Sequence, residues 1–212
     1  MLTEESYLLG GGRKQVLLSM DQLEKAVNHA CTAHNLDGGR CYQIREEFLT
    51  LCRYLESFKP ENILEIGCLG PSFNVFCGLS SGVKVAVDRD DNSPYITDRD
   101  AKFVCGKSVD VFGRVSTICN SFDFIFIDAD HTYDGVKSDF EMYKALLSPR
   151  GIVAFHDIDP NHVARGEAGG EVYRFWGDLG GNKTEIICSS TTHDSRYGGH
   201  STHFGGIGIW RP

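Results

Sequence analysis

Asp128-Ala129-Asp130-His131 and His156-Asp157 are the two short stretches of this 212-residue chain whose side chains could do chemistry together. Each follows a β-prone run, FDFIFI at 122–127 and GIVAF at 151–155. If both runs are parallel strands of one sheet, both groups emerge at its carboxyl edge, where open α/β sheets bind substrates. Three carboxyls and two imidazoles converging there could coordinate a cation or move a proton. Simpler roles compete: Asp130 and His131 could cap the next helix, and His156 and Asp157 could pair with each other.

The elements that must position these residues are readable from periodicity. Short apolar runs at 62–66 (NILEI), 83–87 (VKVAV), 102–104, 122–127 and 151–155 read as strands separated by helical stretches. Between the last two, Val136, Phe140, Tyr143, Leu146 and Leu147 recur at helical spacing. Such alternation predicts a parallel sheet with right-handed crossovers. TEIIC at 184–188 and GIGIW at 206–210 are divided by a glycine-, serine- and histidine-rich stretch with no crossover helix, so an antiparallel pair is expected. The predicted fold class is therefore α/β: a Rossmann-like, mostly parallel seven-stranded sheet with a C-terminal antiparallel hairpin and helices on both faces. Residues 20–35 and 41–58 carry helical apolar spacing and predict two helices before the first strand. Residues 1–59 are thus expected to be a helical extension packing on the same domain, and residues 60–212 the domain proper.

Bulk composition narrows the partners. Twenty-one basic against twenty-nine acidic residues give a net charge of −8. That field repels phosphate backbones and anionic lipid, so neither nucleic acid nor a membrane is an expected partner. No run approaches the ~20 apolar residues of a membrane span, and the acidic start MLTEESYLLGGG does not resemble a signal peptide. The expected location is cytoplasmic. Of the eight cysteines none forms C-x-x-C, and Cys68, Cys77, Cys105 and Cys119 sit in or beside predicted core elements, which reads as free thiols. Helix 41–58 could also pair with a second subunit as a homodimer.

The turn after the first strand is Glu65-Ile66-Gly67-Cys68-Leu69-Gly70-Pro71-Ser72. Glycines there let the backbone approach a ligand, although a bare strand-to-helix turn would use them too. Asp88 ends the second strand 21 positions after Gly67, where an acid can accept hydrogen bonds from ribose hydroxyls. G-x-G-x-x-G is missing, so a nucleoside without a pyrophosphate fits better than a dinucleotide.

Taken together, E-I-G with its nearby Gly and Ser, the acid closing the second strand, and FDFIFIDADHTYDGVKSDFEMYKALLSPRGIVAFHDID resemble the class I S-adenosylmethionine-dependent methyltransferases. The similarity is to the small-molecule O-methyltransferase-like branch of catechol, macrolide-sugar and cephalosporin-associated enzymes. It covers roughly residues 60–160 and the final hairpin. The resemblance implies methyl transfer from S-adenosylmethionine to a hydroxyl of a small molecule. It implies that Glu65, Gly67, Gly70 and Ser72 line the methionine end, Asp88 the ribose, and Gly106 and Ser108 the adenine, with Asp128 also at the cofactor. By position it makes Asp128, His156 and Asp157 the ligands of a divalent metal, with Asp130 or His131 taking the proton. Two residues depart from the pattern. Gly67 and Gly70 have two residues between them where relatives have three, and His156 replaces an oxygen ligand. Nitrogen shifts preference from magnesium toward manganese or another transition metal.

Rival readings remain at this stage. A dinucleotide-dependent oxidoreductase would need pyrophosphate-binding glycines. A non-catalytic cofactor- or metal-binding module is supported by the altered glycine turn, and another metal-dependent reaction on the same fold is open. Val172–Trp176 (VYRFW) could be an aromatic lid, but packing on the sheet is the favoured reading. His193, His200 and His203, within the 191–206 stretch, match no zinc spacing. Residues 161–170 read as a loop.

Overall fold

A computed structural model describes residues 19–32, 43–160, 170–188 and 205–212. The expectations for residues 1–18, Cys41, most of the 161–170 loop and His193, His200 and His203 lie outside the described residues.

Seven strands form one sheet in the order β3-β2-β1-β4-β5-β7-β6. They are β1 (Ile63–Ile66), β2 (Lys84–Asp88), β3 (Lys102–Cys105), β4 (Phe122–Ile127), β5 (Leu147–His156), β6 (Asn182–Ile186) and β7 (Ile207–Arg211). The first five are parallel, and β7 runs antiparallel between β5 and β6. The expected mixed sheet is thus the observed one. The order in which strands are added to the sheet reverses between β1 and β4, so their carboxyl ends flank a crevice.

Every residue of β1 and β4 is buried. A strand covered on both faces reads as a continuous apolar run rather than an alternating one, as FDFIFI does. Phe124 and Phe126 face a layer made by α1 (Met20–Thr32), α2 (Arg45–Phe58) and α3 (Pro71–Gly78). Ile125 and Ile127 face α4 (Ser108–Ile118), α5 (Tyr133–Tyr143) and α6 (Val172–Asp178). Phe76 of α3 meets the rings of Phe48, Phe124 and Phe126 edge-on at 5.5, 5.1 and 5.3 Å. It therefore ties α2 and the sheet together with quadrupole-favoured contacts as well as burial. Among the described residues, α1 and α2 share the apolar core of the sheet.

Asp123 is the polar exception inside β4. It lies at the amino end of the strand, opposite the edge that carries Asp128. Its oxygens accept from Ser148 Oγ at 2.7 Å, Glu61 N at 2.7 Å and Arg150 Nε at 3.3 Å. Burial pushes its carboxyl up, but these donors win and hold it below the usual carboxylate range. One strand thus carries a structural acid at one end and a site acid at the other.

Val172, Phe175 and Trp176 are buried against the sheet, so the aromatic run is a packing helix. Cys68 and Cys77 are buried free thiols, whereas Cys105, expected beside the core, is exposed. It sits on the edge strand β3, of which only Val104 is buried. Among the described residues no helix is long and apolar enough to cross a membrane.

Candidate active site

A cleft of about 740 Å³ opens at the carboxyl ends of β1 to β4. That is the size of a small-molecule pocket, and the β1/β4 crevice is where such pockets form. Gly67, Asp88, Gly106, Ser108, Asp128, Asp130 and His131 are among its lining residues.

Gly67 has φ +89°, and a Cβ there would overlap the backbone of Asp128 and Ala129. The glycine lets the turn after β1 press directly on the end of β4. Gly70 is required by a neighbour rather than by a ligand: it has φ +107°, and a Cβ would come within 2.6 Å of Tyr95 Cβ. Glu65 and Ser72 lie behind the turn, and Ser72 Oγ donates to Glu65 Oε1 at 2.6 Å. Glu65, Gly70 and Ser72 are not among the described residues that line the cleft. Glu65 Oε2 is buried without a hydrogen-bond partner, and burial pushes this carboxyl well up.

Asp88 ends β2 half-buried, with Oδ1 accepting from Asp90 N at 2.8 Å. Gly106 and Ser108 follow β3 into α4. Ser108 Oγ donates to Asp139 Oδ1 of α5 at 2.5 Å. Asp139 is 1% exposed, its Oδ2 has no hydrogen-bond partner, and it lines the cleft. Burial raises its pKa to about 6, with Ser108 opposing.

This raised pKa predicts a pH-dependent stability. Below the unfolded-state value the acid is neutral in both states and costs nothing. As pH climbs through about 6 the folded protein must carry a buried charge that the unfolded chain bears in water. Asp139→Asn is therefore expected to stabilise the protein by about 1–2 kcal/mol at pH 7.5 and by nothing at pH 4. Thermal melts of both proteins at the two pH values check it, and equal midpoints at pH 7.5 would contradict it.

The chemical end lies over β4 and β5. His131 Nε2 is 3.2 Å from Asp128 Oδ1 and 3.2 Å from Asp157 Oδ2. His156, 2% exposed, presses from below, with Nδ1 3.3 Å from Asp128 Oδ1 and 3.4 Å from Asp157 Oδ1. Burial would lower the His156 pKa, but Asp157 and Asp128 raise it to about 9. Burial would raise Asp128, yet His156 and His131 hold it well below the usual carboxylate range. The Asp128 hydrogen bond is the main cause that raises His131. Asp130 is the exposed member of the group, and its Oδ1 accepts from Thr132 N at 2.9 Å. Thr132, not Asp130 or His131, caps α5.

Ligand atoms of Asp128, His131 and Asp157 lie within 4.8 Å of one another, a set that could hold a metal ion. It contains His131, where the positional carry-over has His156. Position in the chain identifies the ends of strands but not which imidazole faces the opening, and His156 is packed beneath the carboxylates. Gly170 packs against His131, and Glu171 N donates to the His131 carbonyl at 2.5 Å, fixing that backbone.

Two residues of the N-terminal part reach this cluster without any sequence signal. Gln43 Nε2 donates to Asp128 Oδ2 at 2.8 Å. Glu47 of α2 is fully buried and accepts from Cys188 N and Gly206 N, each at 2.8 Å. Gly205 N donates to Asp157 Oδ1 at 2.8 Å. The two ends of the β6–β7 connection are therefore fastened to α2 and to Asp157. A buried Glu in the helix REEFLTLC could be suspected only because it is one of three charges beside an apolar stripe.

Comparison with known proteins agrees with this geometry. Residues 64–158 match the family described as a methyltransferase domain. A 60-residue stretch, 28% of this chain, is 38% identical to Uncharacterized protein y4gI of Sinorhizobium fredii, of whose length the match spans 6%. The O-methyltransferase of Bacillus cereus in complex with SAH has a TM-score of 0.59 at 21% identity, covering 92% of each chain. The O-methyltransferase TomG of Streptomyces achromogenes, in complex with SAM, gives 0.60 at 19% identity over 92% of this chain and 91% of that one. A putative caffeoyl-CoA O-methyltransferase from Staphylococcus aureus gives 0.61 at 18% identity over 89% and 92%. At these identities the solved structures establish the fold. The chain thus has the Rossmann-like fold of these methyltransferase structures, and its residues 64–158 are similar to a methyltransferase domain.

Proposed function

We propose that this protein transfers a methyl group from S-adenosylmethionine to a hydroxyl of a small molecule. The observation that carries the reading is one cleft at the β1/β4 crevice lined by Asp88 and by Asp128 and His131, the two members of the Asp128–His131–Asp157 cluster that face it. S-adenosylmethionine supplies an electrophilic methyl group when bound. The residues present fit it: Asp88 offers carboxylate oxygens for ribose hydroxyls, and the turns at Gly67 and Gly106 both line the cleft.

His131 is the residue placed to take the acceptor's proton. Its ring lies between two carboxylates that would stabilise the imidazolium so formed, and one-third of its side chain is open to solvent. Asp128 fixes that ring, and Gln43 in turn fixes Asp128. The remaining task of the cleft is alignment, which alone can contribute several kcal/mol to a bimolecular step, on the order of 7–11 in favourable cases.

A metal-assisted version is the second reading, favoured by the 4.8 Å grouping of Asp128, His131 and Asp157. A divalent cation there would acidify a hydroxyl, and the mixed oxygen–nitrogen set suits manganese, iron, nickel or zinc better than magnesium.

Isothermal titration with S-adenosylhomocysteine tests the cofactor. Asp88→Ala removes charge-assisted hydrogen bonds of about 1.5–3 kcal/mol, so affinity should fall roughly ten- to hundredfold. Wild-type protein that is folded and binds neither S-adenosylhomocysteine nor S-adenosylmethionine would overturn the reading.

A further inference from the structure

Adjacent residues of a β-strand point to opposite faces of its sheet, yet His156 and Asp157 both reach one cluster. His156 Nδ1 is 3.3 Å from Asp128 Oδ1, and Asp157 Oδ2 is 3.2 Å from His131 Nε2. A slip in register makes this possible. β5 and β7 pair Val153 with Trp210 and so on to His156 with Ile207. Continued unchanged, that register would set Asp157 against Gly206. Instead Ile158 N donates to Gly206 O at 3.3 Å and Asp159 N to Gly205 O at 3.1 Å. Asp157 is the extra residue, a bulge that turns its carboxyl into the cluster. Its φ of +65° is a left-handed backbone that strains a residue with a side chain, so its surroundings must hold it there.

The hold comes from the start of β7, and that segment is held by Glu47. Gly205 N donates to Asp157 Oδ1 at 2.8 Å. Gly206, with φ +79°, lies so close to the bulge that a Cβ would come within 2.8 Å of Asp159 N. The Gly206 N–H donates to Glu47 Oε2 at 2.8 Å, and Cys188 N, just past β6, donates to Glu47 Oε1 at the same distance. Glu47 is fully buried in α2, and each of its oxygens accepts from backbone beside the bulge. Burying an acid is costly unless its oxygens are satisfied in this way.

We propose that Glu47 is a positioning residue for methyl transfer: by clamping Gly206 and Cys188 it holds the Asp157 bulge in the form that presents this carboxyl to His131. The inference rests on the reading of the Asp128–His131–Asp157 cluster as the reacting end, and adds the distant residue that keeps one of its acids in place. Glutamine at position 47 keeps the shape but has one accepting oxygen, so one of the two backbone N–H groups would face an amide NH2. Displacing a positioned group by about 1 Å can lower a rate by about 10².

The test is Glu47→Gln in the full chain, with two readouts. Amide hydrogen exchange reports the bulge directly. Ile158, Asp159, Gly205 and Gly206 should exchange at least about tenfold faster than in wild type, with the amides of β4 unchanged. Transfer of a labelled methyl group should fall about ten- to hundredfold while affinity for S-adenosylhomocysteine stays within about threefold. In an Asp157→Asn background the same substitution should lower turnover no further, because it acts through Asp157. Gly206→Ala, whose Cβ would press on the same bulge, should give the same pattern and serves if Glu47→Gln does not fold. Unchanged exchange at the bulge in a variant that melts cooperatively overturns the proposal. So do losses from Glu47→Gln and Asp157→Asn that multiply, or a loss of cofactor affinity as large as the loss of turnover. Wild type that transfers no methyl group overturns the reaction and the catalytic part of this proposal, whereas exchange alone decides the clamp.

Discussion

Asp128→Asn is expected to lower methyl transfer to small hydroxyl acceptors by about 10² to 10⁴ while leaving the fold intact. Asparagine matches the shape of aspartate, and one of its polar atoms can still meet Gln43 Nε2, now 2.8 Å from Asp128 Oδ2. What it removes is the charge that His131 and His156 both face at 3.2 and 3.3 Å. An imidazolium formed at His131 then has only Asp157 to stabilise it. If a cation is used, one of its three ligands is lost as well. The measurement is transfer of a labelled methyl group to a panel of diols and phenols. Alongside it, the melting temperature with and without manganese gives a readout that needs no acceptor. Turnover retained within threefold would remove the cluster from the mechanism.

Gly67→Ala should cost about 3–5 kcal/mol of stability, and cofactor affinity with it. The residue has φ +89°, which an alanine adopts only under strain of order 1–2 kcal/mol, and the new methyl would overlap the Asp128 carbonyl and the Ala129 Cα. Neither neighbour is the tip of a flexible side chain. Gly67 N is bonded to Val87 O at 2.9 Å and Asp128 N to Ile66 O at 2.8 Å, so relief would require prying β4 from β1 at the site. Gly113→Ala is the control, since nothing lies within 4 Å of its would-be Cβ in the middle of α4. It should stabilise by up to about 1 kcal/mol, the helix-propensity difference. Urea denaturation of both variants decides the matter. A Gly67→Ala protein within 1 kcal/mol of wild type would show that the turn does not press on β4 as described.

The strands were legible where burial on both faces leaves an unbroken apolar run. FDFIFI has its observed bounds, 122–127, and GIVAF lies inside the longer β5, 147–156. Asp128, His131, His156 and Asp157 could be placed at one edge because strand ends in a parallel sheet share an edge. Which imidazole faces the opening could not be read, since that depends on rotamers and on the packing of Gly170 over His131. Asp139 was hidden within α5, where its position resembles that of any polar helix residue, and its partner Ser108 is 31 residues away. Gln43 and Glu47 were hidden further still, with partners 85 residues away for the first and 141 and 159 for the second. No local pattern encodes contacts of that range. Gly70 carried a misleading signal, because a glycine that admits Tyr95 looks in sequence like one that admits a ligand.

The carboxylate of Glu47 separates how the β6–β7 connection begins and ends from what lies between. With Cys188 and Gly206 both fastened to one buried side chain, the strands keep their pairing regardless of the intervening sequence. Doubling the length of such a connection costs only about 0.6 kcal/mol of closure entropy. Because Gly205 also bonds to Asp157, whatever is inserted there starts beside the chemistry. The arrangement amounts to a socket: because both ends are anchored, exchanging the segment between Cys188 and Gly205 is expected to leave the sheet in place.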